Sequence, residues 1–279
     1  MSKWAAFLKV SQSGYYAWKS GNADRETHDF SYRQKIRELF SSHRGVYGPG
    51  RICGLLRRQG FTASYRRVQR MMRQEGLLSI HCRRRRRSLT NSVKSRGDEF
   101  KNLVRGMAVT TPFQVLSSDI SYIRTGEGFV YLCEIRDIVS GVILSTSMSD
   151  RMKADLVTET IVPAVKRWPI PKGSIFHSDR GSQYTSTRVM NLLAQHGFRQ
   201  SFSRVGKPGD NAWSESFFAN LKKESVHWVH FQTREQARQA MFDYVEGFYN
   251  TNRIQERLGY LSPLQWLDNC YNENHESVA

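Results

Sequence analysis

The sequence predicts an α/β protein: a mixed five-stranded sheet flanked by helices, preceded by an all-α, basic module. Three observations predict it. Residues 1 to about 90 are rich in arginine and read as helical. From about residue 110, three strand-like segments follow one another across turn signals. Beyond them, helical and strand-like segments alternate. An antiparallel meander followed by alternating helices and strands gives a mixed sheet with helices packed on it.

Within the basic part, Pro49-Gly50 opens a helix that places Ile52, Leu55 and Leu56 on one face, and Gly60 ends it. Ser64 caps a second helix, in which Val68, Met71 and Met72 have core spacing. The opposite face of that helix holds Arg66, Arg67, Arg70 and Arg73. Two short helices on a tight turn, the second basic, fit a helix-turn-helix that contacts DNA. An ordinary helical hairpin with a solvated basic face has the same spacing. Arg83, Arg84, Arg85, Arg86 and Arg87 then run consecutively, and such a run suits phosphate contacts that supply salt-sensitive affinity and little sequence choice. Residues 88–97 are polar and aperiodic, a linker. The expected division is a helical DNA-binding module with its arginine-rich linker over 1–95 and a catalytic core over 110–270.

In the second part the expected strands are 115–123, 129–139 and 142–148, with Thr125-Gly126-Glu127-Gly128 and Ser140-Gly141 as the turns. A helix over 154–168 carries Leu156, Ile161 and Val165 and stops at Pro169 and Pro171. A short strand over 174–178, a helix over 187–196 ended by Gly197, and a strand over 198–203 complete the sheet. Another helix begins near Asp210-Asn211.

Composition narrows the function. Lys and Arg number 42 against 25 Asp and Glu, a formal charge of +17, which marks a polyanionic partner, and nucleic acid is the usual one. No basic amphipathic helix with a strong apolar face suggests a membrane surface. With 39% apolar and 12% aromatic residues, the chain can bury a core, which excludes global disorder. The cysteines, Cys53, Cys82, Cys133 and Cys270, are scattered with no C-x-x-C pair, so neither a zinc site nor a disulfide framework is signalled. No apolar run reaches the ~18 residues of a membrane span. A cytoplasmic, DNA-associated protein is expected.

Three acids carry the candidate chemistry. Asp119 interrupts the first strand, where a carboxylate is costly unless it is paired or metal-bound. Asp179 follows Ile175-Phe176 at the C-terminal end of a strand, where α/β sheets place ligand sites. Glu215 lies on the helix after Asp210-Asn211. At ~100° per residue, Trp213, Phe217 and Leu221 share one side of that helix, while Glu215 and Lys222 share the other within about 20°. Each acid taken alone also suits a solvated surface. Together, carboxylates from separate elements suit hard divalent cations, Mg²⁺ or Mn²⁺. Two such ions about 4 Å apart activate a nucleophile and stabilise the leaving oxygen in phosphoryl transfer.

Read as motifs, these residues resemble the second-reading-frame transposases of insertion-sequence family three. Those proteins belong to the retroviral-integrase-like DDE superfamily, with an RNase H-like fold. The resemblance runs from Ser13-Gly14-Tyr15-Tyr16-Ala17-Trp18 to Leu258-Gly259-Tyr260-Leu261-Ser262-Pro263. Asp119-Ile120-Ser121-Tyr122-Ile123 matches the first-acid motif. His177-Ser178-Asp179-Arg180-Gly181-Ser182-Gln183-Tyr184 matches the second. Asp210-Asn211-Ala212 with Glu215-Ser216-Phe217-Phe218 and Leu221-Lys222 matches the third. Thirty-five residues separate Asp179 from Glu215, the family spacing. Leu116, Gly209 and Gln255-Glu256 depart from the usual pattern.

The resemblance implies that Asp119, Asp179 and Glu215 are the ligands of two metal ions and that Lys222 touches DNA at the element end. It implies cleavage of one strand to release a 3′-hydroxyl, which then attacks another phosphodiester. Double-stranded DNA, both element ends and target, is the implied substrate, with a homo-oligomer assembled on it. An upstream-frame protein is a further implied partner, so a regulatory DNA-binding role is the alternative to an autonomous enzyme. A simple nuclease of the same fold also remains. A retroviral-type integrase fits poorly, because His28, His43, Cys53, His81 and Cys82 lack the spacing of its zinc module.

Overall fold

The computed structural model describes residues 11–82, 101–204 and 208–276, and the chain forms two compact units, residues 1–83 and 84–279. The arginine run at 83–87 and the linker at 88–97 lie outside the described residues.

The first unit is all-α. Helix α1 (Gln12–Ser42) is capped by Ser11, whose Oγ accepts from the Gly14 amide. Helix α2 (Pro49–Arg58) starts with proline, which needs no N–H donor in a first turn. Helix α3 (Tyr65–Gln74) is capped by Ser64, whose Oγ accepts from Arg67 N, as its sequence predicts. Ile36 and Leu39 of α1 are buried, as are Ile52, Cys53 and Leu56 of α2 and Val68, Met71 and Met72 of α3, while Leu55 is only half-buried. Asp29 of α1 accepts from Arg67 at 2.7 Å and lies 3.7 Å from Arg70. The Arg67 guanidinium also stacks over the Tyr32 ring, 4.1 Å from its centroid.

The second unit is built on a five-stranded sheet. Its strands are β1 (Val115–Thr125), β2 (Gly128–Asp137), β3 (Ile143–Ser149), β4 (Ile175–Ser178) and β5 (Arg199–Phe202), in the order β3-β2-β1-β4-β5. The first three pair antiparallel, and β4 joins β1 and β5 in parallel. This is the mixed, RNase H-like arrangement that the sequence predicts. Helix α4 (Ala154–Arg167) tolerates Pro163 inside it, which the sequence reading passed over. With α5 (Thr187–Gln195), it covers one sheet face. Leu116, Cys133, Ile135 and Phe176 of the sheet form a core there with Leu156 and Ile161 of α4 and Val189 and Leu193 of α5.

The other face is unusual. Register places Ser117 opposite Arg136 and beside His177, and Asp119 opposite Glu134, so all five side chains share this face. It is crossed by α6 (Ala212–Leu221), which packs on β1, and by α7 (Arg234–Tyr244), which packs on β1 and β2; α8 (Pro263–Glu276) follows. The sequence reading did not anticipate α7 and α8. Beyond α6 the chain makes a wider helical turn, Lys222–Val226, in which His227 N donates to Lys222 O. Glu224 in this turn is fully buried and accepts from Arg253 Nε and Nη2 at 2.7–3.1 Å and from Tyr244 Oη at 2.8 Å. Removing one partner of such a buried pair strands the other charge. Glu224→Gln is expected to destabilise the chain by ~3 kcal/mol in urea unfolding; a loss below ~1 kcal/mol would show that the pair is not what holds this turn.

Candidate active site

Along the face under α6 the residues of β1 change character in steps of two: Val115 is apolar, Ser117 polar, Asp119 acidic. Val115 and Ile175 pack with Val104 and Ile138 at the apolar end. In the middle, His177 is buried and hydrogen-bonded on both ring nitrogens, to Ser201 Oγ at 2.8 Å, Ser203 Oγ at 3.1 Å and the Asp210 carbonyl at 3.0 Å. Burial holds its pKa below the usual histidine value. These bonds fix the chain just before α6. Asn211 adds another tie, its Nδ2 donating to the Ser118 carbonyl beside Asp119. Asp210 is gripped by Arg204 and Asn102, which keep its carboxyl well below the usual carboxylate range. The Asp210-Asn211 pair of the third motif therefore docks the glutamate-bearing helix onto β1 and β4.

Asp119 accepts from the Ile120 amide at 2.8 Å. Burial, and then the negative charges of Asp179 and Glu215, push its pKa up to about 7, against the opposing pull of the Ile120 amide and the Lys222 ammonium. Asp179 leaves the end of β4 and accepts from the Gly181 amide at 2.9 Å; its pKa is raised by desolvation. A Cβ at position 181 would stand 3.0 Å from Asp179 Oδ1, tighter than such contacts ordinarily allow, so glycine lets this turn close. Tyr184, at the end of the same motif, is buried with its hydroxyl 2.9 Å from Ser118 Oγ, which ties the turn to β1. Glu215 lies exposed on α6, and desolvation raises its pKa too.

Lys222 stands where α6 widens into the next turn. Its Nζ lies over the exposed Tyr122 ring, 5.3 Å from the centroid, and Phe129 meets that ring edge-on at 5.2 Å. Desolvation lowers its pKa while the Asp119 charge raises it. Asp119 thus feels Asp179, Glu215 and Lys222, which reach it from other elements. They are gathered and not closed into a cage: among the described residues, no three His, Cys, Asp or Glu side chains converge tightly enough to hold an ion.

The remaining expected site residues lie in the first unit. Arg66, Arg70 and Arg73 are exposed on α3, whereas Arg67 is half-buried against α1. Glu134, Tyr122 and the Glu224–Arg253 pair escaped the sequence reading. Glu134 carried a legible signal, a lone acid in the apolar run Leu132-Cys133-Glu134-Ile135.

Comparison with known proteins fits this arrangement. The integrase core domain model matches residues 109–208, a second integrase core domain model matches 215–270, and the HTH-like domain model matches 28–87. The transposase for insertion sequence element IS904 of Lactococcus lactis is 39% identical, over 82% of this chain and 90% of its own length. The transposase InsF for insertion sequence IS3A of Escherichia coli is 35% identical, over 93% and 91%. The chain belongs to the transposases of the IS3 family. Among solved structures, the catalytic core domain of BIV integrase is 18% identical, at a TM-score of 0.44, over 58% of this chain and 98% of its own. As an IS3-family transposase, the chain is a DNA-binding phosphoryl-transfer enzyme with an integrase core. No helix among its described residues is long and apolar enough to cross a membrane.

The raised Asp119 carboxyl gives the transposase a pH signature. The folded chain keeps this proton between the ordinary value of 3.8 and about 7, while the unfolded chain has lost it. The folded state binds more protons across that window, so stability falls as pH rises through it. Asp119→Asn removes this penalty. In urea unfolding without divalent ions, the variant should be more stable than the parent at pH 8, on the order of 1 kcal/mol, and should gain nothing at pH 4. A parent whose stability is flat from pH 4 to 8 contradicts the assignment.

Proposed function

We propose that Asp119, Asp179 and Glu215 are the catalytic residues, that they hold two divalent cations, Mg²⁺ or Mn²⁺, and that the enzyme cleaves and joins strands at insertion-sequence ends. The observation that supports this reading is that Asp119, on β1, stands within reach of the charges of Asp179, Glu215 and Lys222, which come from other elements. The donor set fits the cation: it offers carboxylate oxygens alone, and like charges in a partly desolvated place gain most from a small hard ion. When bound, such ions lower the charge barrier between carboxylates and phosphate and polarise the reacting oxygens.

The protein's own part is positional. Asn211 and His177 set the helix that carries Glu215. Gly181 and Tyr184 set the turn that carries Asp179. Lys222 faces the DNA backbone from beside Tyr122, a cation among acids that draws phosphate inward. Joining two element ends requires two such sites held together, so the active species is a homo-oligomer on DNA, and an upstream-frame product is a proposed partner. On α3, Arg66, Arg70 and Arg73 bear on the DNA backbone, Arg70 shared with Asp29. The run Arg83 to Arg87 adds phosphate contacts. Arg67, bound to Asp29 and Tyr32, braces α3 against α1.

Two measurements test this. With labelled element-end DNA and Mg²⁺ or Mn²⁺, Asp179→Asn should lower 3′-end cleavage and joining by about 10³-fold or more while end binding persists; retained joining refutes the triad. Cleavage without joined product identifies a nuclease, and binding without chemistry in the parent as well assigns activity to the form joined with the upstream-frame product. Separately, Arg73→Ala should weaken DNA binding about equally across sequences and reduce the salt slope by about 1, whereas Arg67→Ala should chiefly lower Tm. A salt slope unchanged in Arg73→Ala removes that residue from the interface.

A further inference from the structure

One buried acid is used neither by the fold nor by the reading above. Glu134 stands on β2 directly opposite Asp119, on the same face, and is entirely buried. Neither of its carboxyl oxygens has a hydrogen-bond partner. The Ser214 hydroxyl, one residue before Glu215 on α6, is close enough to favour the charged form, yet it lies outside bonding geometry and is itself without a partner. Arg136, two residues along the same face, spends Nη1 on the Trp213 carbonyl and leaves Nε unused. Burial, and the Asp119 charge beside it, push the Glu134 carboxyl up to about 8, against the pull of Ser214 and Arg136.

A buried carboxyl without partners costs stability, and folded proteins seldom keep one that does nothing. An apolar side chain of similar length would fill this place at less cost. What Glu134 does touch electrostatically is the catalytic locus: Asp119 on one side and the helix of Glu215 on the other. We propose that Glu134 is a fourth carboxyl of the cation site, a positioning residue whose unspent oxygens lie behind Asp119 and strengthen its hold on a hard divalent cation. The proposal rests on the metal-dependent reading. In it, Glu134 acts through Asp119 from the buried side, where the dielectric is low and screening weak, so that its carboxylate form adds strongly to the attraction for the cation.

The test uses the full chain without DNA. Mn²⁺ binding is followed by electron paramagnetic resonance, and Tm is measured in a chelator, for the parent, Glu134→Gln, Glu134→Met and Asp179→Asn. Both Glu134 variants are expected to match or exceed the parent Tm while binding Mn²⁺ about tenfold more weakly, which is ~1.4 kcal/mol. Unchanged Mn²⁺ affinity in both variants overturns the proposal. It is overturned equally if affinity falls only in a variant whose Tm also falls, since Glu134 would then serve the fold. Asp179→Asn separates the two readings: parental Mn²⁺ affinity in that variant refutes the acid triad, whatever the Glu134 variants do.

Discussion

Carboxyl groups held out of water on one face of the sheet are the constraint around which the second unit is arranged. Asp119 and Glu134 are cross-strand neighbours, and both are pushed well above ordinary carboxyl values, chiefly by burial. A sheet bearing such a pair cannot be covered by an apolar helix surface alone. The cover is α6, which presents Ser214 and the Trp213 carbonyl downward and begins at Asn211. The apolar face, by contrast, takes α4 and α5 in ordinary core packing. One sheet therefore has an apolar face and a face of mixed character, which changes from apolar to acidic in the step from Val115 through Ser117 to Asp119.

Because the acids repel, their spacing must be imposed from outside the cluster. The buried hydrogen bonds of His177 and Asn211 fix the start of α6, and the Glu224–Arg253–Tyr244 network fixes the turn that follows it. Glu215 and Lys222 sit between these two anchors. Buried ionic and polar networks of this sort add little net stability but specify one arrangement, because a half-satisfied version is costly. The motif residues around the acids thus read as scaffolding: Gly181 for a tight turn, Tyr184 for its attachment to β1, Asp210 and Asn211 for the docking of α6.

The sheet was legible because its turns are marked by glycine and proline, and Asp119 stood out as an acid inside a strand, whereas Asp179 and Glu215 were singled out by their motifs and spacing. What was not legible depends on contacts between distant segments. Glu134 obeys the same rule that singled out Asp119, but its significance comes from register, which only pairing reveals. Arg67 looks equivalent to Arg66, Arg70 and Arg73 by spacing, yet Asp29 and Tyr32 lie more than thirty residues earlier and turn it inward. The α7 and α8 segments carry mixed polarity, so periodicity alone does not single them out, although both have cap signals in the sequence, Thr233 with Gln236 and Ser262 with Gln265.

The same electrostatics that burdens the cation-free chain makes it a receptor. Burial and repulsion from Asp179 and Glu215 raise the cost of the charged form of Asp119, and desolvation does the same for Asp179 and Glu215; in the proposed site a divalent ion offsets that cost, which links binding to stability. The basic surface elsewhere works in the opposite sense: a net charge of +17 attracts DNA over a distance, but phosphate arriving at bare carboxylates would be repelled. Long-range attraction by arginine and local neutralisation by an ion are therefore separate requirements, met by separate parts of one chain. In the proposed reading Lys222 is where they meet, a cation over the Tyr122 ring that also feels the Asp119 charge.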